Sequence, residues 1–278
     1  MQKFISLNQI DEIAQTIKKQ ISIQPIAGII LGSGLNGLAD SVVDAVYIAY
    51  SDLPNFPVST VHGHVGRFVI GKLEDKPVMV MQGRIHYYEG YTMGECTLPV
   101  RVMQRLGIPS LIVTNAAGGV NPNFTSGDVM LITDQLNLMG MSGLNPLMGP
   151  NLDEIGPRFP DMSQPYDRAY CDLTRKVAKE NGINLQEGIY AGLSGPSFES
   201  PADLRFLKSA GVDAVGMSTV PEVIVARHGN MRALGLSGIS NKANLDGSTI
   251  TTHEEVIEAG KIITPKVEKI IRGVLRGL

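Results

Sequence analysis

Residues 26–37 read IAGIILGSGLNG, an apolar run followed by glycines spaced as G-x-G-x-x-G. The run predicts a buried strand over 26–32, and Gly32-Ser33-Gly34 predicts a turn whose backbone N–H groups can hold an anion. Dinucleotide folds carry the same spacing but continue into a long crossover helix, which Pro54 and Pro57 disfavour here. We therefore expect a nest for one anion, although a turn packed for steric reasons explains the glycines equally well.

Seven further apolar runs predict strands, and amphipathic stretches of helical length alternate with them. The runs are 68–73, 77–83, 110–115, 128–133, 187–193, 212–217 and 232–239. The clearest predicted helices are 8–20, 93–106, 166–181, 201–210, 219–228 and 253–276, the last kinked or interrupted at Pro265. Glu74 and Asp75 predict a hairpin between two of the strands. We expect an α/β fold, a single domain over residues 1–278 with a mixed, twisted central β-sheet flanked by helices.

Charge and composition exclude several classes of function. Lys+Arg number 24 and Asp+Glu 27, a net charge of -3, so no basic surface is expected for a nucleic acid or an anionic membrane. The N-terminal residues lack the apolar core of a signal peptide, and no apolar run approaches the ~20 residues of a membrane span. The two cysteines, Cys96 and Cys171, lack CxxC spacing and indicate a reducing compartment. We expect a cytoplasmic protein.

A second candidate anion loop, Gln82–Gly90, follows the strand PVMVM. Arg84 and His86 are two positions apart and can project to one side of an extended segment, with Glu89 close enough to orient the imidazole. Taken singly, Arg84 is better explained by a surface salt bridge and His86 by a structural histidine. As a pair they suggest an anion clamp.

Two more strand ends carry small or hydroxyl residues. Thr114–Val120 follows one apolar run, and Met217–Glu222 follows another, with Ser218 just before a helix that has Pro221 in its first turn. Ligands of open α/β sheets bind at the carboxyl ends of strands, so we expect these four loops to converge on one anion.

Other segments argue against a metal and for a long functional loop. His62-Gly63-His64 has no carboxylate or cysteine at ligand spacing, and His253-Glu254-Glu255 is not H-E-x-x-H, so no metal is expected. Residues 134–165 mix Gly, Pro, Asn and Met without clean periodicity, which suits a long loop or an oligomer contact.

Nine motifs, in order along nearly the whole chain, together resemble the purine nucleoside phosphorylases of the homotrimeric class, which includes the methylthioadenosine phosphorylases. They are GSGL (32–35), HGHVG (62–66), GRIHYYEGY (83–91), TNAAGGV (114–120), GPRFPDMS (156–163), GPSFESPAD (195–203), VGMSTVPEV (215–223), SNKA (240–243) and HEEV (253–256). The resemblance implies a homotrimer that acts on a purine nucleoside with phosphate as co-substrate and no cofactor.

The resemblance also implies a role for individual positions. Phosphate would be held by Ser33, His64, Arg84, His86, the backbone at Ala116, and Ser218. Ribose would contact Tyr88, Met217, His253 and, from a neighbouring subunit, Phe159. The base would lie among Phe198, Glu199, Val215 and Asn241, and the catalytic candidates are His86, Glu89, Glu199 and Asn241. Phosphate would attack the anomeric carbon while Asn241 donates to N7 and Glu199 holds the N1–H edge.

Asn241 bears on the choice of base. In the resembled family an Asn here accompanies 6-oxopurines such as those of inosine and guanosine, whereas the methylthioadenosine enzymes have Asp. From the residues alone, Glu199 could simply precede a helix and Asn241 could be a turn residue. The leading expectation is a phosphorylase of 6-oxopurine nucleosides such as inosine and guanosine. The alternatives are a methylthioadenosine or adenosine phosphorylase, a non-catalytic nucleoside- or phosphate-binding module, and, least favoured, a dinucleotide oxidoreductase.

Overall fold

The central sheet has nine strands within the part of the chain that the structure describes. A computed structural model describes residues 4–61, 65–243, 245–248 and 253–278, with only the backbone at 253, 254, 256 and 257. The strands are β1 (Ala27–Ile30), β2 (Val43–Ala49), β3 (Arg67–Leu73), β4 (Lys76–Gln82), β5 (Ser110–Gly119), β6 (Val129–Leu136), β7 (Leu185–Gly192), β8 (Ala214–Gly216) and β9 (Arg232–Lys242). Their order is β2-β3-β4-β1-β5-β8-β7-β6-β9, and both parallel and antiparallel pairs occur, which confirms the mixed sheet.

Five of the strands close into a ring, a feature that no local sequence pattern predicts. β9 pairs antiparallel with β6 and also parallel with β5, so β5, β8, β7, β6 and β9 form a closed circuit. The remaining four strands extend as an open wing from β1, which pairs parallel with β5. β5 therefore belongs to both parts of the sheet, and its second half lies where wing and ring meet.

Seven helices surround this sheet among the described residues. They are α1 (Leu7–Lys18), α2 (Met93–Arg105), α3 (Leu138–Met141), α4 (Arg168–Glu180), α5 (Pro201–Ser209), α6 (Val220–His228) and α7 (His253–Arg276). Ser6, Thr92 and Ser200 each form a capping box at a helix start. α7 continues through Pro265, so of the expected kink or interruption the interruption is wrong. Buried Ile263, Val267 and Ile270 pack its apolar face onto the core and offset the lost backbone bond.

Two local expectations need correction. Residues 115–119 are not a loop but the second half of β5, because β9 pairs with all of them and β8 pairs with Gly118 and Gly119. A Cβ at Gly119 would lie only 3.0 Å from Ile239 Cγ2, so glycine suits that position. Residues 43–49 form an edge strand, β2, that was not predicted as one; its Val43 and Tyr47 are exposed, so its burial pattern is weak. The hairpin at Glu74 and Asp75 is confirmed, with φ of 53° and 59° as in a type I′ turn.

No helix in the described ranges is both long and apolar enough to cross a membrane. Cys96 in α2 and Cys171 in α4 are buried free thiols, in agreement with the absence of a disulfide framework.

Candidate active site

A cavity of about 820 Å³ opens where the wing of the sheet meets the ring. Twelve of the residues named from the sequence line it: Ser33, Arg84, His86, Tyr88, Glu89, Ala116, Phe198, Glu199, Val215, Met217, Ser218 and Asn241. Phe159 does not; it is 88% exposed, on the segment between β6 and α4. His64 and the side chain of His253 lie outside the described residues. The structure thus brings together all four segments that were expected to converge.

The glycine loop after β1 is fixed against β5. The Gly32 N–H donates to Thr114 Oγ1 at 2.9 Å, and that hydroxyl donates to the Ile30 carbonyl at 2.9 Å. A Cβ at Gly32 would lie 2.6 Å from the Asn115 Cα, so only glycine fits. A short 3-10 helix (Asn36–Ser41) follows in place of a crossover helix, which agrees with a nest for one anion and not with a dinucleotide fold.

Arg84 is held by three partners from distant parts of the chain. It is only 1% exposed, and its Nε donates to Glu222 Oε1 at 2.7 Å. Its Nη1 donates to the Thr114 carbonyl at 2.8 Å and to Ser218 Oγ at 3.2 Å. A surface salt bridge is therefore excluded, and the guanidinium lies beside Ser218 as a phosphate clamp requires.

His86, Tyr88 and Glu89 form a compact group after β4. The backbone N–H of His86 donates to Glu89 Oε1 at 2.7 Å, and His86 Nδ1 lies 3.4 Å from the same oxygen. The His86 and Tyr88 rings stack with centroids 4.8 Å apart. Burial by itself raises the pKa of Glu89, but hydrogen bonds from His86 and Thr60 outweigh it and bring the pKa to about 2. Glu89 is therefore ionised and placed to orient the imidazole, as expected.

Glu89 also holds the neighbouring loop in place through Thr60. Its Oε2 accepts from the Thr60 N–H at 2.5 Å and from Thr60 Oγ1 at 2.8 Å. Burial raises the pKa of Tyr88 to about 12, so its phenol stays protonated and can donate. The Glu89 carboxylate thus holds both Thr60 and His86, which lie on two sides of the cavity mouth.

The turn between β8 and α6 is strained. Thr219 has φ 72° and ψ −55°, and the Val220 N–H donates to the Ser218 carbonyl at 2.8 Å, which together define a γ-turn. Such a conformation costs on the order of 1–3 kcal/mol for a residue with a side chain. Asn115 Nδ2 donates to Thr219 Oγ1 at 2.9 Å and helps to hold it. With this turn, Ser218 Oγ lies 3.2 Å from Arg84 Nη1 at the start of the helix.

Asn241 lies over the second half of β5. A Cβ at Gly118 would be 3.8 Å from both Asn241 side-chain polar atoms and 3.6 Å from Val215 Cγ1. Ser240 Oγ donates to Asn241 Oδ1 at 2.8 Å, which orients the amide nitrogen as the group that can donate. Phe198 is half exposed at the rim, and burial raises the pKa of Glu199.

Several residues that line the cavity or lie directly behind it were not predicted from the sequence. Glu222 was quoted within a motif, yet an acid in the first turn of a helix is ordinarily explained by the helix dipole. Its partner Arg84 is 138 positions away, and no sequence pattern joins the two. Thr114, Asn115 and Ser240 likewise act through contacts that arise only when β5 meets β1, β8 and β9. No group of His, Cys, Asp or Glu suited to a metal occurs in the described part of the chain.

Known proteins are similar to this chain in both sequence and fold. Residues 26–276 match the family model described as the phosphorylase superfamily. Purine nucleoside phosphorylase 1 of Bacillus subtilis is 50% identical over 268 residues, which cover 96% of this chain and 98% of that protein. The purine nucleoside phosphorylase of Bos taurus is 51% identical over 252 residues, covering 89% and 87%. The chain belongs to the purine nucleoside phosphorylases.

A solved purine nucleoside phosphorylase agrees over the whole fold. The crystal structure of a schistosoma purine nucleoside phosphorylase in complex with hypoxanthine matches with a TM-score of 0.95 at 38% identity, covering 100% of this chain and 99% of that chain. Membership in the purine nucleoside phosphorylases confirms the resemblance drawn from the nine motifs. It also makes the protein an enzyme, a pentosyltransferase.

Proposed function

We propose that the enzyme splits 6-oxopurine nucleosides and deoxynucleosides, such as inosine and guanosine, with inorganic phosphate to give the free base and (deoxy)ribose 1-phosphate. One observation carries this proposal. Arg84 and Ser218 line the same cavity as Asn241, and Arg84 Nη1 lies 3.2 Å from Ser218 Oγ. A single cavity thus contains donors for an oxyanion and a donor for a departing base.

The phosphate side relies on fixed hydrogen-bond donors. We assign phosphate to Ser33, Arg84, His86, Ser218 and the backbone at Ala116, and His64 belongs to the same assignment. Among the described groups, the Gly32 turn beside Ser33 is held by Thr114, Arg84 by Glu222 and His86 by Glu89. Because these contacts need no ligand, little reorganisation should accompany the reaction. We propose that phosphate itself is the nucleophile, with neither a cofactor nor a covalent intermediate on the enzyme.

The base side stabilises the leaving group. As the glycosidic bond breaks, negative charge develops on the purine, and a donor at N7 stabilises it more in the transition state than in the ground state. We assign this donor to Asn241 Nδ2, whose amide is oriented by Ser240. Glu199 is assigned to the N1–H edge, with Phe198 and Val215 against the ring, and Tyr88, Met217 and His253 are assigned to the ribose.

The same amide favours a 6-oxopurine. N7 and O6 of hypoxanthine or guanine are both acceptors on one edge, and an amide N–H₂ matches them. A 6-aminopurine presents a donor in place of O6, and a buried donor facing a donor leaves both without a partner. This argument sets adenosine and methylthioadenosine below inosine.

The test is phosphate-dependent release of hypoxanthine from inosine, followed by chromatography, with a phosphate-free control and adenosine in parallel. We expect hypoxanthine only when phosphate is present and a slower release of adenine. Faster adenine release would establish the methylthioadenosine or adenosine alternative. Binding of hypoxanthine without any turnover of inosine would indicate a non-catalytic module.

We further propose a cytoplasmic homotrimer. Phe159 is a large apolar side chain with 88% of its surface exposed, which supports a contact with the ribose site of a neighbouring subunit. The free thiols Cys96 and Cys171 support a reducing compartment. The natural protein should have the mass of three chains in solution, and a monomeric mass would reject the trimer. The mass of Phe159→Ala then shows whether the Phe159 contact is needed to hold the chains together.

A further inference from the structure

Glu222 lies directly behind the proposed phosphate site, where it holds Arg84 but is not among the described residues that line the cavity. It occupies the first turn of α6, and its Oε1 accepts from Arg84 Nε at 2.7 Å. The Arg84 and Glu222 side chains are 2% and 6% exposed. The second carboxylate oxygen, Oε2, is buried and accepts no hydrogen bond from the described residues.

A carboxylate in this position changes what Arg84 offers to an anion. Two opposite charges in contact largely cancel at a third charge several ångströms away. Arg84 is the only Lys or Arg among the described residues that line the cavity, whereas Glu89 and Glu199 also line it. With Glu222 paired to its only arginine, the described part of the cavity carries no net positive charge. Hydrogen-bond donors must then supply most of the affinity for phosphate.

Weak ground-state binding is useful for this reaction. Phosphate is the nucleophile under the proposed function, and any interaction that stabilises bound phosphate more than the transition state slows turnover. The product ribose 1-phosphate must also leave the same donors. A pocket with an uncompensated guanidinium would hold both anions more tightly.

We propose that Glu222 is a positioning residue and a counter-charge: it fixes the Arg84 guanidinium and at the same time keeps phosphate affinity low. The proposal rests on the proposed function insofar as the anion is phosphate. It differs from a purely structural role in the sign of its effect, because loss of the charge with retention of the shape should tighten phosphate binding.

Glu222→Gln separates charge from position, since the amide oxygen can still accept from Arg84 Nε. We expect the phosphate Kd, measured by calorimetry without nucleoside, to fall about tenfold. With inosine, kcat should fall while the KM for inosine stays unchanged. Glu74→Gln is the matched control, because Glu74 pairs with Arg272 at 2.8 Å and Arg276 at 2.6 Å at the opposite end of β4. Its phosphate Kd should not change.

A phosphate Kd that rises in Glu222→Gln would overturn the proposal in favour of a structural role. An unchanged Kd would overturn it too, since the carboxylate charge would then not reach the anion. Because calorimetry needs no turnover, the proposed function can fail in the inosine assay while this result stands, and the reverse also holds.

A measurement on the natural protein covers the case in which Glu222→Gln does not fold. Sulfate and methanesulfonate present similar tetrahedral oxygens with two charges and one. A site without net positive charge gains little from the second charge, so we expect their affinities to agree within about threefold. Sulfate binding more than about tenfold tighter would mean that the Arg84 charge acts uncompensated, and would reject the proposal.

Discussion

Two arginines are buried in the described part of the chain, and their surroundings differ. Arg84 is 1% exposed and is paired with the carboxylate of Glu222. Arg101, in α2, is 7% exposed, and its Nη1 lies 2.8 Å from His228 Nδ1 and 3.3 Å from Gln104 Oε1. Its described partners include no carboxylate, and burial lowers the pKa of Arg101 to about 10. Arg84, which is assigned to phosphate, is therefore the arginine whose charge is compensated by a carboxylate.

Arg101 instead anchors a segment. A guanidinium can only donate, so His228 Nδ1 accepts, and Nε2 then carries the proton and donates to Asn151 Oδ1 at 3.1 Å. Asn151 Nδ2 in turn donates to the Gly156 carbonyl at 2.9 Å. This chain of bonds fixes the segment that leads to Phe159. Buried positive charge therefore does not identify the site; nearby hydroxyls and backbone donors at strand ends do.

The largest effect should follow loss of Arg84. Arg84→Met leaves Glu222 as a buried, unpaired charge, so the free energy of unfolding should fall by about 3–5 kcal/mol. Phosphate-dependent turnover of inosine should fall by about two orders of magnitude or more, because a charge-assisted donor is lost. Chemical denaturation and steady-state kinetics would measure both. Normal turnover in Arg84→Met would remove the phosphate assignment.

Asn241→Ala should give the next largest effect. Loss of a donor to the departing base typically costs about 2.7–4 kcal/mol, so kcat should fall roughly a hundredfold or more with little change in phosphate affinity. Asn181→Ala, which removes a bond to the Val177 carbonyl at the end of α4, is the control and should retain full turnover. A loss below about tenfold would make Asn241 a packing residue.

Arg101→Met should affect stability more than chemistry. The His228 imidazole and Asn151 lose the donor that orders them, and we expect a fall of about 1–3 kcal/mol in the free energy of unfolding. The phosphate Kd should stay within about twofold of the natural value, since the charge of Arg101 plays no part in the anion site. Faster hydrogen exchange at residues 151–156 would locate the change. A large loss of phosphate affinity would show that the two arginines are not independent.

Among these effects, the pH dependence of stability at His228 should be the smallest. Burial, together with the charge of Arg101, lowers the pKa of His228 from 6.5 to about 4. Between these values the unfolded chain binds a proton that the folded chain does not, so stability falls as the pH drops from 6.5 toward 4. A curve of Tm against pH should be flatter for His228→Gln than for the natural protein in that window. Parallel curves would mean that His228 does not contribute.

The sequence predicted the strand ends well because glycine, serine and asparagine after apolar runs mark them. The prediction failed where the pairing of distant strands determines the local structure. Residues 115–119 look like a loop, and only β8 and β9 make them a strand. The closure of β9 onto β5 joins residues more than a hundred positions apart, and the Arg84–Glu222 pair is equally remote in sequence. Nothing local signals either contact.

The functional roles likewise fall into those that residue type and position predict and those that depend on the packed structure. Ser33, Arg84 and Ser218 could be nominated from residue type and position, since phosphate binding uses a small set of donors. The γ-turn at Thr219 and the orienting bond from Ser240 could not, because strain and amide orientation depend on the packed structure. The base-side residues Glu199 and Asn241 came only from the ordered motifs.

The most direct test of phosphate as nucleophile is a ³¹P NMR spectrum of inosine and inorganic phosphate incubated with the enzyme. We expect the inorganic phosphate signal to be replaced by that of a sugar 1-phosphate, one equivalent for each hypoxanthine released. Release of hypoxanthine with free ribose and an unchanged inorganic phosphate signal would contradict the account.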